Sequence, residues 1–250
     1  IPMMMSAAGL PFAYADQTPL IPRQTLFGNP QRASVQISPN GQYLAYLAPV
    51  DGVLNVWVGP LGDPAAARPI TQDKGRGIRI YFWAFDGRHV LYLQDKDGDE
   101  NWRVYSVDVD RGDIRDLTPL ENVQARIQNL SHRKPNEILI ALNDRNPELH
   151  DIYRLDLTTG ERQLVLENEG FLAFHADEDY QIRLAERTTP DGGREIFQRS
   201  TDGTWQPFIQ LAPEDALSTN VAGFDKTGRV LRLIDSRGRN TAAFTEIRLD

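Results

Sequence analysis

The sequence feature that most constrains the fold is an internal repeat. In the stretch 95–118, an acidic loop precedes the strand-like run YSVDV at 105–109, an Asp-Arg-Gly turn and a second short run. The same order returns about 48 residues later, where YRLDL at 153–157 matches YSVDV position for position. Repeats of this length mark architectures in which each unit buries its apolar face against the next. The repeat therefore predicts a β-propeller.

Five copies of this unit follow one another, and each contains strand-like runs separated by turn sequences such as Asn40-Gly41 and Asp202-Gly203. We expect an all-β fold of four-stranded antiparallel blades, about five of them, with the last incomplete. The predicted blades are 33–73, 77–119, 125–167, 171–211 and 219–250. The final residues IRLD align with YRLD at 153–156, so the fifth repeat lacks its fourth strand. An open blade edge leads us to expect that the sequence is part of a larger polypeptide.

The N-terminal residues precede the repeats and differ from them in composition. Residues 1–15 are apolar, rich in small side chains, and end in Ala13-Tyr14-Ala15, the A-x-A pattern of a signal-peptide cleavage site. They predict a signal-peptide remnant and a periplasmic or secreted protein, with a disordered extension of a cytoplasmic protein as the alternative. Residues 16–32 contain three prolines and predict an extended lead-in.

Charge and composition narrow the classes of partner. The 35 acidic residues outnumber the 27 basic ones, giving a formal net charge of -8. This balance argues against nucleic acid or an anionic membrane surface as a partner, since both require clustered Lys and Arg. The chain has no cysteine, which excludes disulfides and thiolate metal sites. No run reaches the ~18 apolar residues of a membrane-spanning helix.

Several short segments carry a family resemblance. The segment SPNGQYLAY at 38–46 resembles a signature of propeller blades in TolB and in prolyl oligopeptidase-family serine peptidases. PRQTLFGNP at 22–30, DGDENW at 97–102, NDR at 143–145 and HDIYR at 150–154 are together similar to one branch of that family. This is the bacterial acylaminoacyl-peptidase and dipeptidyl-aminopeptidase-like branch, and the resemblance covers residues 20–250.

The resemblance implies a division of labour within a longer polypeptide. In that family an N-terminal propeller of seven or eight blades caps a C-terminal α/β-hydrolase domain, which carries a Ser-Asp-His triad. The propeller restricts which peptides reach the triad. This sequence contains no G-x-S-x-G nucleophile elbow, so no catalytic residue can be assigned in it.

Two functions from different classes follow. In the first, the chain is the non-catalytic propeller portion of a serine peptidase that hydrolyses peptides or acyl-peptides. Its partners are then the C-terminal α/β-hydrolase domain of the same polypeptide and the peptide substrates. In the second, it is a stand-alone TolB-like propeller that serves as a protein-binding module.

Long, charged loops are predicted on one face of the propeller and short turns on the other. The long loops are 95–101, 143–151, 188–195 and 235–240. Binding residues concentrate on loops held by a rigid scaffold. We therefore predict that the substrate or the hydrolase domain meets Glu100, Asn101, Trp102, Arg145 and Arg239. An ordinary solvated surface of Asp–Arg pairs is the alternative.

No metal or cofactor is predicted. The segment 95–100 resembles a calcium loop, but Gly98 and Ser106 occupy positions where the EF-hand pattern differs, which favours a solvated loop. The four histidines, including His150, lack the mutual spacing of a zinc site. We expect His150 and Asp151 to form local hydrogen bonds, and the strand tryptophans to pack between blades.

Overall fold

The computed structural model describes residues 20–249, which form nineteen β-strands and two short α-helices. The strands pair antiparallel in five sheets, and each sheet takes its strands in chain order. Four sheets have four strands, and the fifth has three within the described range. These sheets are the blades of the predicted all-β propeller, so the predicted fold class is confirmed. The proposed signal-peptide remnant, residues 1–15, lies outside the described residues.

The strands fall within the five repeats as follows. Blade 1 holds β1 to β4, at Ala33–Ile37, Tyr43–Val50, Val53–Pro60 and Arg68–Pro69. Blade 2 holds β5 to β8, at Tyr81–Trp83, His89–Gln94, Arg103–Asp108 and Ile114–Asp116. Blade 3 holds β9 to β12, at Ala125–Leu130, Glu137–Asn146, Leu149–Asp156 and Arg162–Leu166. Blade 4 holds β13 to β16, at Ala173–Ala176, Ile182–Thr188, Arg194–Arg199 and Trp205–Leu211. Blade 5 holds β17 to β19, at Asn220–Phe224, Val230–Asp235 and Ala243–Arg248.

The hydrophobic core lies between the blades. Four clusters of buried side chains each join one blade to the next along the chain. Strand β10 shows the consequence most clearly, because residues 138–142 are buried on both of its faces. Trp83 and Trp205 lie in clusters at blade interfaces, as expected, whereas Trp57 stacks on Tyr46 within blade 1. Continuous burial of apolar surface across the interfaces holds the sheets together.

The first strand of each blade lies at the inner edge of the assembly. Gln36 on β1 donates its side-chain amide to the carbonyl of Tyr81 on β5, with 3.2 Å between the atoms. Gln128 on β9 donates in the same way to the carbonyl of Phe174 on β13, at 2.7 Å. The inner strands of neighbouring blades are thus joined by side-chain amides in addition to packing.

Connections leave the sheets on two faces. The loops between second and third strands and the connections between blades share one face, which we call the loop face. Gln124, from the connection between blades 2 and 3, donates to the carbonyl of Glu100 in the loop of blade 2. Arg194 of blade 4 reaches Asn220 at the start of blade 5 in the same way. The short turns lie on the opposite face, the turn face.

Two predicted segments differ from expectation. The lead-in is not extended throughout, because Arg23–Phe27 forms helix α1, with Pro22 as its N-cap residue. The segment 143–151 is largely strand, since β10 and β11 continue as a hairpin with Asn146 opposite Leu149. Helix α2, at Pro213–Ala216, connects blades 4 and 5. Over residues 20–249, no helix has the length and hydrophobicity needed to cross a membrane.

Candidate functional site

A cleft of about 500 Å³ opens on the loop face between blades 2, 3 and 4. Its acidic rim comes from Asp99 and Glu100 in the loop of blade 2 and Glu148 in the hairpin of blade 3. Its far wall is the segment 171–174 at the start of blade 4. Two of the predicted site residues, Glu100 and Asn101, therefore lie in one cavity.

The loop of blade 2 is held by its own carboxylates. Asp95 is buried, and its Oδ2 accepts hydrogen bonds from Arg76 at 2.8 Å and from the main-chain amide of Glu100 at 3.3 Å. Asp99 accepts from the amides of Lys96 and Asn101. Burial acts to raise the pKa of Asp99, but these hydrogen bonds outweigh it and lower the pKa. The carboxylates of Asp95 and Asp99 thus hold the loop in its conformation by accepting hydrogen bonds.

The same loop presents Glu100 outward. Glu100 adopts a positive φ of 60°, which is uncommon for a residue with a side chain and turns the chain toward blade 3. Its carboxylate has no hydrogen bond or ion pair to any residue in the range 20–249. Asn101 beside it is half-buried and donates to Asp99. Glu100 is consequently available to a ligand at the rim of the cleft.

Trp102 is placed differently from its neighbours. It is half-buried just before β7 and does not line the cleft. Its carbonyl accepts a hydrogen bond of 2.7 Å from the amide of Ala125, the first residue of β9. Trp102 therefore joins blade 2 to blade 3 through its main chain.

Arg145 is engaged within the protein. Its Nε and Nη2 atoms donate to the two carboxylate oxygens of Asp151, at 2.7 and 2.8 Å, and Nη2 also donates to the carbonyl of Asn168 at 2.9 Å. Asp151 is only 1% exposed. Burial acts to raise the pKa of Asp151. The hydrogen bonds from Arg145 and from the amide of Asn168 outweigh this effect, so the pKa is lowered below its ordinary value. The guanidinium thus neutralises a buried carboxylate.

The far wall of the cleft is fixed by the next residues of this network. The Asn168 side chain accepts from the amides of Gly170 and Phe171 and donates to the carbonyl of Phe171 at 2.9 Å. The Phe171 ring packs edge-on against Phe174 and Phe197, with centroids 5.7 and 5.5 Å away. Aromatic packing and main-chain hydrogen bonds together set the position of this wall.

His150 occupies the floor of the cleft in its neutral form. Burial, and secondarily the positive charge of Arg126, lowers the pKa of His150 to about 4. Its Nε2 atom is buried and has no hydrogen-bond partner among the described residues. The local hydrogen bonds expected of this pair are therefore found for Asp151 but not for Nε2 of His150. His150 therefore adds no positive charge to the cleft near neutral pH, and Arg126 is the cation among the residues that line it.

Arg239 lies apart from the cleft, in the exposed loop of blade 5. Its neighbour Arg237, which sequence reasoning did not single out, pairs with buried Asp235 through contacts of 2.9 and 2.8 Å. The structure thus brings Glu100 and Asn101 together and leaves Arg239 separate. In the range 20–249, no group of three His, Cys, Asp or Glu side chains could hold a metal ion.

Comparison with known proteins defines the relatives of this fold. No protein-family model matches the sequence. The chain is 46% identical over 231 residues to dipeptidyl aminopeptidase BIII of Pseudoxanthomonas mexicana, covering 92% of this chain and 34% of that protein. It is 31% identical over 234 residues to dipeptidyl peptidase family member 6 of Caenorhabditis elegans, covering 88% of this chain and 32% of that protein. The chain therefore spans about a third of the length of these relatives.

A solved structure supports the fold independently of sequence. Prolyl oligopeptidase B from Galerina marginata superposes with a TM-score of 0.59 at 15% identity, covering 86% of this chain and 31% of that one. The fold and the sequence similarity define a β-propeller of the kind found in large peptidases. More specifically, the predicted resemblance is confirmed: the chain is similar to the N-terminal propeller portion of the dipeptidyl-aminopeptidase-like branch of the prolyl oligopeptidase family.

Proposed function

We propose that this chain is the access-controlling propeller of a serine peptidase whose α/β-hydrolase domain lies in the same polypeptide. The observation that carries the proposal is the 46% identity, over 92% of this chain, to a dipeptidyl aminopeptidase of which the chain spans 34%. The relative's name suggests substrates with a peptide backbone and a nearby N-terminus. Catalysis would then use a serine nucleophile and a histidine base in the hydrolase domain.

The role of the propeller in this proposal follows from the loop face. Its cleft is held by a rigid scaffold, and its rim offers the carboxylates of Glu100 and Glu148. Three carboxylates, of Asp99, Glu100 and Glu148, line the cleft against one guanidinium, that of Arg126, and a neutral His150 adds no positive charge. The cleft is therefore net acidic, so positively charged groups of a peptide are favoured and acidic ones are disfavoured. The propeller would therefore select peptides by size and charge before they meet the serine.

The experiment compares the 250-residue chain with the full-length polypeptide on dipeptidyl and acyl-aminoacyl chromogenic substrates. We expect turnover from the full-length protein, loss of that turnover with a serine-directed inhibitor, and none from the chain alone. The reading frame beyond the codon of Asp250 should encode a G-x-S-x-G elbow. A full-length protein without the elbow and without turnover would favour the stand-alone protein-binding propeller.

We also propose that the protein is exported. The support is the A-x-A pattern at residues 13–15 together with the apolar residues before it. Fractionation of expressing cells and N-terminal sequencing of the purified protein test this. We expect a mature N-terminus at Asp16 and a periplasmic or extracellular location. An intact leader on protein recovered from the cytoplasm would contradict the proposal.

A further inference from the structure

We propose that Arg145 is a positioning residue for the cleft on the loop face. It fixes residues 168–172, which lead into the far wall of the cleft, and thereby sets how tightly the cleft holds the part of a peptide that lies beyond the scissile region. The inference rests on the proposed function, because it assumes that peptides reach this cleft. It assigns Arg145 a role through other residues and not through direct contact with the substrate.

The first step of the connection runs from Arg145 to Asn168. The guanidinium contacts both carboxylate oxygens of Asp151 and, in addition, the main-chain carbonyl of Asn168 at 2.9 Å. Asp151 accepts the amide of Asn168 at 2.7 Å through the oxygen that also faces Nη2 of Arg145. Asn168 is therefore held at its carbonyl by Arg145 and at its amide by Asp151. Bidentate pairing of this kind fixes direction as well as distance.

The second step runs from Asn168 to the wall itself. Its side-chain oxygen accepts the amide of Phe171 at 2.7 Å, and its side-chain nitrogen donates to the carbonyl of the same residue at 2.9 Å. Gly170 between them has a φ of 119°, a conformation that other residues rarely adopt. The wall segment has no helix or strand of its own before Ala173, so these contacts determine its path. A displaced Asn168 would carry Phe171 and Leu172 with it.

The position of Leu172 shows what the wall presents to a ligand. Leu172 lines the cleft and remains 59% exposed, although its amide is held by the carbonyl of Glu186 at 2.7 Å. Phe171 behind it is 6% exposed and packs into the aromatic cluster. An apolar surface is thus held in the same cleft as the carboxylates of Glu100 and Glu148. Its distance from Glu100 and Glu148 sets the width available to a peptide.

A second arginine on the same face supplies a matched comparison. Arg237 pairs with buried Asp235 through Nε and Nη2, with the same two-point geometry as Arg145 and Asp151. The side chain of Arg237 makes no further hydrogen bond to residues 20–249, and neither Arg237 nor Asp235 lines the cleft. Both pairs neutralise a buried carboxylate, but only the Arg145 pair extends to the cleft wall. Loss of either pair should cost stability, and only loss of the first should change the cleft.

The test places Arg145→Gln and Arg237→Gln separately in the full-length polypeptide. Each variant is assayed on a short chromogenic dipeptide and on unblocked peptides of increasing length, and its melting temperature is measured. We expect both variants to melt at lower temperature than the wild type. Arg145→Gln should raise KM for the longer peptides about fivefold while the KM of the short substrate stays within about twofold. Arg237→Gln should leave the KM of every substrate within about twofold.

A purely structural role would give a different pattern. A smaller folded fraction lowers the apparent kcat of all substrates equally and leaves every KM unchanged. Equal KM values for the two variants, or a length-independent loss in Arg145→Gln, would overturn the inference. If Arg145→Gln does not fold, Asn168→Ala cuts the connection while the Arg145–Asp151 pair remains, and it should raise KM for the longer peptides in the same way. A full-length protein that hydrolyses no peptide would instead refute the proposed function.

Discussion

At the scale of single residues, the loop face is organised by buried carboxylates that each meet an arginine. Asp95, Asp151, Glu186 and Asp235 are all less than about a tenth exposed. Their partners are Arg76, Arg145, Arg194 and Arg237, at distances of 2.7 to 2.8 Å. A buried charge is tolerated only when it is paired and hydrogen-bonded. Much of the charge in these loops therefore stabilises the blades, and among the carboxylates that line the cleft Glu100 and Glu148 have no partner within residues 20–249.

Glu186 provides a pH-dependent test of this organisation. Its carboxylate contacts His175 at 2.7 Å and Arg194 at 2.8 Å. Burial acts to raise the pKa of Glu186, but His175 and Arg194 lower it below its ordinary value of 4.5. The stabilisation is therefore present above pH ~4.5 and is lost as the pH falls through the lower pKa of the folded state.

We expect Glu186→Gln to destabilise the protein by about 3 kcal/mol at pH 7, because it takes away the carboxylate that neutralises the partly buried Arg194. The difference from wild type should shrink as the pH approaches the pKa of the folded protein. Urea unfolding at pH 7 and at pH 4 or below measures both values. An equal loss of stability at the two pH values would show that charge pairing is not the cause.

His150 gives the opposite kind of test, because its neutral form is the one favoured by folding. Its pKa is lowered from 6.5 to about 4 by burial and by Arg126. As the pH falls from 6.5 to 4, the unfolded chain binds the proton first, so stability decreases over this window. The NMR resonances of the His150 ring should titrate with a midpoint near 4. His150→Gln should make stability less dependent on pH in that window, and a ring that titrates near 6.5 would contradict the burial.

At the scale of elements, the turns on the turn face have two functions that can be separated. They reverse the chain between strands, and some of them also join neighbouring blades. Gly41 and Gly87 occupy equivalent turns of blades 1 and 2, and both have a φ of 70°. A Cβ added to Gly41 would meet no atom within 4 Å, whereas one added to Gly87 would lie 2.8 Å from the Asn40 side-chain nitrogen. That nitrogen donates to the carbonyl of Gly87 at 3.0 Å and so joins the two blades.

We expect Gly41→Ala to cost about 1 kcal/mol through backbone strain alone. Gly87→Ala should cost roughly 1 kcal/mol more, since it also displaces Asn40 and breaks the bond between blades. Chemical denaturation of the two variants measures the difference directly. Equal costs would mean that Asn40 contributes nothing to the contact between blades 1 and 2. Asn40→Ala should cost at least as much as this difference, because it also removes the hydrogen bonds that Asn40 accepts from Ser38 and from the amide of Gln42.

The elements also show which parts of the structure the sequence predicts and which it does not. Alternating apolar residues bounded by turns predicted the blades, because that pattern depends only on local backbone geometry. The hairpin around Arg145 was missed, since Asn143, Asp144 and Pro147 are typical of loops and only cross-strand pairing makes the segment a strand. Glu100 and Asn101 were found as loop residues. For Phe171 the sequence predicts only the start of the fourth blade, because its role in the cleft arises from packing between blades 3 and 4.

At the scale of the whole molecule, the turn face is tied together across several blades. The Phe85 ring of blade 2 meets His132 of blade 3 edge-on, with centroids 6.2 Å apart. Ser131 of blade 3 donates to the main-chain carbonyl of Glu178 in blade 4 at 2.6 Å. The loop face also has contacts between neighbouring blades, such as that of Gln124 with the carbonyl of Glu100, and it carries the cleft. The turn face is therefore braced from blade 2 to blade 4.

Arg133 is the residue by which this bracing can be tested over the longest distance. Its guanidinium contacts Asp179 in the turn of blade 4 at 2.6 Å and also donates to the carbonyl of Lys226 in the turn of blade 5. The three turns come from three successive blades, so one side chain couples units far apart in sequence. Because Arg133 is partly exposed, its removal should leave the global stability nearly unchanged.

We expect Arg133→Ala to raise amide exchange in residues 225–230 by about fivefold, the effect of losing roughly one hydrogen bond, while exchange at 38–41 stays unchanged. Hydrogen exchange followed by mass spectrometry resolves the two turns. Arg229→Ala is the matched control, since its side chain is exposed in the same turn of blade 5 and makes no hydrogen bond to residues 20–249. Faster exchange in both variants, or in both turns, would show that Arg133 does not couple blade 3 to blade 5.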